Sequence, residues 1–170
     1  SDTDFNTFLD ALIERVEDVI DNHCHRTFKQ VTGAVEELDG DGSRYLFTKH
    51  SPIISVTSVK TRASKTDSWQ LLDSNLYYMY RDYIYYASRW PVGQQNIQVT
   101  YTYGFASVPK DIKEICTLAV ANRLQFRMVD KISPLERIGD FVLRIPEQEI
   151  LTPHLKELLK PYVIIPVKIL

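Results

Sequence analysis

The side chains best equipped for chemistry in this sequence are His23, Cys24 and His25, adjacent imidazole, thiol and imidazole groups, with Cys116 far along the chain as a fourth donor. Imidazole and thiolate are good zinc ligands. Successive residues on a helix, however, point about 100° apart, so three in a row cannot face one ion. No Cys-x-x-Cys or His-x3-His spacing accompanies them. They read as helix-end histidines beside a core cysteine, and no metal is expected. Asp39-Gly40-Asp41-Gly42-Ser43 offers two carboxylates in a glycine-rich turn. It lacks the third oxygen residue and the closing Glu of a calcium loop, so it reads as a hairpin connection in which glycine supplies positive φ. Glu114, Glu136, Asp140 and Glu147 are scattered, and there is no Gly-x-Ser-x-Gly, phosphate loop or Gly-x-Gly-x-x-Gly. No reaction class follows. The expectation is a non-enzyme without a cofactor.

Tyr77, Tyr78, Tyr80, Tyr83, Tyr85 and Tyr86 form the third constellation. Aromatic rings beside basic side chains hold single-stranded nucleic acid by stacking, and a single-strand-binding module with a tyrosine-rich sheet is the rival reading. Only Arg81 and Arg89 accompany the cluster, which favours packing within a sheet and against neighbours. The full count of ten tyrosines in 170 residues is high, and tyrosine suits half-buried interface positions, where the ring adds apolar area and the hydroxyl stays wet. Twenty basic against 22 acidic residues give a formal charge of −2. That balance argues against a sequence-independent DNA binder, which needs clustered Lys and Arg to displace counterions.

The elements that must position these groups follow from periodicity. Phe5, Phe8, Leu9, Leu12, Ile13, Val16, Val19, Ile20 and Cys24 recur at steps of three and four, which predicts an amphipathic helix of about five to six turns. Thr3 or Asp4 is expected to cap it, and it should fray near His25 to Thr27. From Val31 to Tyr103, short β-branched and aromatic runs alternate with turn residues. Strands are expected at Ala34 to Leu38, Arg44 to Phe47, Ile53 to Arg62, Leu76 to Tyr80, Tyr83 to Tyr86 and Ile97 to Tyr103. Pro109 should open a second helix in its first turn, with Ile112, Ile115, Cys116, Ala119, Val120 and Leu124 inward and a break after Met128. A short third helix is expected from Thr152-Pro153 to about Lys160, ended by Pro161.

The fold class is thus α+β, a helical core (1–30 and 105–162) with an inserted, mostly antiparallel β-module (31–104). Cys24 and Cys116 read as reduced core residues. No apolar run reaches the roughly 18 to 20 residues that span a bilayer, and no secretion signal is legible. The chain is expected to be neither exported nor membrane embedded. The last segment, 163–170, is extended and apolar, and Tyr162, Val163, Ile164, Ile165, Pro166, Val167, Lys168, Ile169 and Leu170 would be an aggregation hazard if left free. It either folds back on its own core or docks onto another chain by strand addition or pocket insertion.

The order of segments resembles a known family. Cys24-His25-Arg26-Thr27-Phe28, Leu38 to Phe47, and Pro52-Ile53-Ile54-Ser55-Val56-Thr57-Ser58-Val59 are similar to successive stretches of the tailed-phage head-tail connector (adaptor) proteins. So are Pro91-Val92-Gly93, Ile97 to Phe105, Val108 to Lys113, Glu136 to Val142 and Leu155 to Tyr162. Each motif is weakly specific alone, but together they cover nearly the whole chain in order. The resemblance implies a virion neck protein, made in the host bacterial cytoplasm and assembled beneath the portal as a ring of about twelve copies. It also implies contacts with the portal protein through the C-terminal segment and with a stopper or tail-terminator protein on the tail side. Double-stranded DNA would pass through the lumen without specific binding. A gene transfer agent would be an equally good setting. Within such a ring, Asp39, Asp41, Arg44, Tyr77, Tyr78, Tyr80, Tyr83, Tyr85 and Tyr86 are the expected inter-subunit or tail-side contacts.

Overall fold

The structure, a computed structural model, describes residues 2–132 and 149–164. The chain divides into two compact units, one of Ser1–His25 with Pro109–Leu170 and one of Arg26–Val108. The α+β class expected from sequence is what forms.

In the helical unit, α1 runs Asp2–Cys24. Leu12, Val16, Ile20 and Cys24, four residues apart, are all buried, so the apolar stripe of the sequence is a real core face. The helix begins earlier than the capping signal suggests. Thr3 and Asp4 lie inside the first turn, where the Thr7 hydroxyl donates to the Thr3 carbonyl at 2.9 Å. The opposite end stops sharply: His25 adopts φ 52°, a left-handed conformation that ends the helix, and its N–H donates to the Asn22 carbonyl at 3.3 Å.

The second helix, α2, spans Lys110–Ile132. The Lys113 N–H donates to the Pro109 carbonyl at 3.1 Å, which makes Pro109 the capping residue and not a first-turn residue as the sequence suggested. The helix also continues past Met128, because no glycine or proline interrupts it before Pro134. Ile112, Ile115, Ala119 and Val120 are buried, and Cys116 is half-buried and forms no disulfide. The third helix, α3, is Pro153–Leu159, with the Thr152 hydroxyl oxygen accepting the Leu155 N–H at 3.4 Å and Pro153 in the first turn. A 3-10 turn, Lys160–Tyr162, carries Pro161 and ends the helical run. α1 packs on α2 and α2 on α3.

The sheet unit holds seven strands: β1 (Val31–Gly40), β2 (Tyr45–Phe47), β3 (Ile53–Thr61), β4 (Gln70–Leu72), β5 (Tyr77–Met79), β6 (Tyr83–Tyr86) and β7 (Gly93–Tyr103). They form two antiparallel sheets, a four-stranded one in the order β1-β7-β3-β4 and a three-stranded one in the order β2-β6-β5. The strand β4 was not anticipated, since two leucines between turn residues give too short a pattern to read. The alternation at the end of β7 is expressed as expected. Ile97, Val99, Tyr101 and Tyr103 turn into the core, while Gln98 and Thr100 stay half-buried. Around them pack Leu46, Ile53, Val59, Tyr77, Ile84 and Trp90. β7 leaves the sheet through Gly104 (φ 95°), whose N–H donates to the Pro52 carbonyl at 3.0 Å and whose missing side chain would collide with the Lys29 carbonyl.

Candidate assembly surface

The small sheet sorts its aromatic residues by face. Register sets Tyr45 opposite Tyr85 and Tyr85 opposite Tyr78, and it sets Phe47 opposite Tyr83. Neighbouring positions along a strand point to opposite sides, so Leu46, Ile84 and Tyr77 take the core side and are buried. On the other side lies a continuous layer of rings. Tyr45 meets Tyr83 and Tyr85 edge-on at centroid distances of 5.4 and 5.6 Å, and Phe47 meets Tyr83 at 5.8 Å. Tyr80 stacks on Tyr83 at 4.7 Å and 20°, and Tyr78 leans on Tyr85 at 6.5 Å.

The two central rings, Tyr83 and Tyr85, are half-buried. The flanking ones stay open, with Tyr45 at 48%, Phe47 at 65%, Tyr78 at 61% and Tyr80 at 48% exposure. Apolar area this continuous is unusual for a surface meant to stay in water. Of the tyrosines singled out from sequence, Tyr78, Tyr80, Tyr83 and Tyr85 share this layer. Tyr77 and Tyr86 do not: Tyr77 is core, its hydroxyl pushed to a higher pKa by burial and then by the charge of Asp73, and Tyr86 packs against Trp90 at 5.0 Å. Tyr45 and Phe47 were missed as members, although the Tyr45-Leu46-Phe47 alternation carries the signal.

The acidic turn is held by its own carboxylates. Asp39 Oδ1 accepts the Gln95 N–H at 2.6 Å. Asp41 Oδ1 accepts the Ser43 N–H at 2.8 Å, and bonding to Ser43 keeps the Asp41 carboxyl below the usual carboxylate range. Beneath them Asn96 braces the backbone, accepting from the Gly40 N–H at 2.9 Å and donating to the Pro91 carbonyl at 3.0 Å. Asp39, Asp41 and Arg44 are all exposed. Among the described residues, no group of three or more His, Cys, Asp and Glu side chains is placed to hold a metal ion. His25 is exposed whereas Cys24 is fully buried, so the run at the end of α1 does not converge. Glu136, Asp140 and Glu147 lie outside the described residues.

A buried carboxylate that sequence reading overlooked sits deeper. Glu36, 8% exposed on β1, accepts the Tyr101 hydroxyl at 2.6 Å and the Lys49 N–H at 3.1 Å, with His50 Nε2 at 3.7 Å. The His50 ring stacks on Tyr103 at 4.4 Å. Burial, and then the bond to Glu36, drive the Tyr101 pKa far upward. This network fastens the segment between β2 and β3, which carries the small sheet, to the large sheet. It braces the residues that follow β2, the first strand of the aromatic layer.

The start of the C-terminal segment is anchored at two points. The Tyr162 hydroxyl donates to Asp111 Oδ2 at 3.1 Å, and its pKa is raised by burial and then by Asp111. The Ile164 N–H donates to the Cys24 carbonyl at 3.0 Å, which satisfies one of the four carbonyls that the end of α1 leaves without an intrahelical partner. Ile165, Pro166, Val167, Lys168, Ile169 and Leu170 lie outside the described residues. No helix among the described residues is long and apolar enough to cross a membrane.

A family model described as "Head completion protein" matches residues 1–134, four fifths of the sequence and every strand of both sheets. The chain belongs to the head completion protein family. Solved structures share the chain's fold across almost its whole length. A chain from the virion of a native gene transfer agent (GTA) particle is 12% identical, with a TM-score of 0.60 over 95% of this chain and 79% of that one. A chain from the neck of an empty GTA particle, computed with C6 symmetry, is also 12% identical, with a TM-score of 0.57 over 95% and 80%. A third, from the neck of a native GTA particle computed with C12 symmetry, gives 12% and 0.56 over 94% and 83%. At that identity the likeness is one of fold. No curated protein sequence matches the chain.

Proposed function

We propose that this chain is a structural subunit of the neck of a tailed-phage or phage-like virion, one copy of a closed ring beneath the portal that joins capsid to tail. The reading rests on the family match over residues 1–134. Its support is the likeness in fold to GTA neck chains, two of them from reconstructions with C6 and C12 symmetry; a ring of twelve copies here would agree with the latter. The role is architectural and not catalytic. In a cyclic ring each copy meets its neighbours through two different surfaces, and a layer of exposed aromatic rings is the kind of surface such contact covers. The C-terminal segment from Tyr162 onward would seat on the portal, and a stopper or tail-terminator protein would close the tail side. DNA would leave through the lumen. A formal charge of −2 suits a conduit that does not grip phosphate.

The test is genetic and structural. Removing the gene is expected to leave DNA-filled heads without tails, and a reconstruction of normal particles is expected to show the chain as a ring between portal and tail. Tailed, infectious particles from cells lacking the chain would overturn the reading. The exposed rings also invite the single-strand-binding alternative, which a salt titration of oligonucleotide binding decides. Binding that weakens steeply with salt is its signature.

A further inference from the structure

The aromatic layer is a surface of hydrogen-bond donors as well as rings. Tyr45, Tyr78, Tyr80, Tyr83 and Tyr85 bring five phenol hydroxyls to one face, and none of the five is hydrogen-bonded to another described residue. Arg81 sits in the turn between β5 and β6, is exposed and has no ion-pair partner among the described residues. The surface that fits such a face is rich in acceptors and negative charge.

The same chain carries one. α1 holds seven acidic residues and a single basic one, Arg15, a formal −6, whereas Arg26–Val108 holds nine basic and seven acidic, a formal +2. Glu17 and Asp21 of α1 have partners within the chain. Asp10, Glu14 and Asp18 do not: they are exposed, lack an ion pair among the described residues and recur every four residues, which aligns them on one flank of the helix. Like charges at that spacing destabilise a helix slightly, and a cationic partner would remove that cost.

We propose that the aromatic face of the small sheet in one copy receives the Asp10-Glu14-Asp18 flank of α1 from the next copy. Phenol hydroxyls and the Arg81 guanidinium meet the carboxylates. Both surfaces are exposed within a single chain, so the contact is between copies. Two different surfaces that complement each other are what a head-to-tail contact needs in order to close a ring. The four most exposed rings, at about half of an aromatic side chain's roughly 150–250 Å² each, leave on the order of 400 Å² open. That is about half of what one partner contributes to a standard interface of roughly 800 Å² a side, and the flanking turns extend it. The inference rests on the ring reading above and specifies which surfaces form its joint.

Cross-linking in assembled particles tests it. Chains carrying Glu14→Cys with Tyr85→Cys, each change alone, or neither, are incorporated into particles and treated with a short bis-maleimide; the unchanged chain controls for Cys24 and Cys116. The double variant is expected to give a ladder of trimers and larger products that neither single variant gives. Particles that contain the double variant yet show no such ladder overturn the pairing while leaving the ring intact. Absence of the unchanged chain from the neck overturns the ring reading and the pairing with it. Charge reversal supplies an independent arm. Asp10→Lys/Glu14→Lys/Asp18→Lys is expected to cut incorporation at least tenfold at unchanged helicity by circular dichroism, and Arg81→Glu in the same chain is expected to restore part of it. Normal incorporation of the folded triple variant, or no restoration, counts against the proposal.

Discussion

Glu36 is the residue on which the sheet unit's internal order turns. A carboxylate at 8% exposure is tolerated because a hydroxyl and a backbone amide donate to it. Tyr101→Phe removes the shorter of those bonds, and the expected loss is about 1–3 kcal/mol, read as a lower midpoint in urea unfolding. The same bond sets a pH dependence. The folded-state pKa of Tyr101 lies above its unfolded value of 10.0 because burial, and then Glu36, favour the protonated phenol. Its contribution is therefore fully present below pH 10 and is lost as pH rises through the folded value. Ultraviolet titration of the phenols is expected to show a tyrosine that ionises later than the raised Tyr77 and Tyr162 and that disappears in Tyr101→Phe. Gly104 is the second sensitive residue. With φ 95° and the Lys29 carbonyl against it, Gly104→Ala is expected to destabilise by more than about 1 kcal/mol, measured the same way.

At the scale of elements, the helices and every strand but β4 were legible. α1 and β7 announce themselves because many residues repeat one period, and the short β2, β5 and β6 because aromatic residues sit between turn signals. β4 and the separation of the strands into two sheets do not, since two leucines between turn residues form no period and pairing partners are set by tertiary packing. The aromatic layer was half legible for the same reason. The tyrosine run drew attention, but only the register showed that Tyr77 and Tyr86 leave the outer face while Tyr45 and Phe47 join it. Glu36 gave no signal, because nothing local marks a glutamate for burial when its donors lie on β7 and in the segment after β2. Capping signals located helix starts to within a turn, and in α3 the residue that opens the expected segment, Thr152, does the capping. Thr152→Ala is expected to cost about 1 kcal/mol, visible in thermal unfolding as a lower melting temperature.

The whole chain presents a stable scaffold whose outer surfaces are incompletely covered. The contacts of Tyr162 and Ile164 tie the start of the C-terminal segment to the helical unit. Truncation after Ile164 is expected to leave stability unchanged within about 0.5 kcal/mol and to abolish capture by portal rings in a pull-down. Truncation before Tyr162 removes both contacts as well and is expected to lower stability by about 1–2 kcal/mol. Equal unfolding midpoints for the two truncations would show that the two contacts do not stabilise the helical unit.

The bond from Ile164 to Cys24 has a mechanical consequence. If the C-terminus grips a portal while DNA rushes past, tension on that end reaches the molecule where α1 stops and the polypeptide departs for the strands. Force delivered there enters at the C-terminal end of a 23-residue helix whose Leu12, Val16, Ile20 and Cys24 are buried, so the load falls on a packed stripe and not on one exposed turn. A subunit fastened in this way should yield last at its anchor.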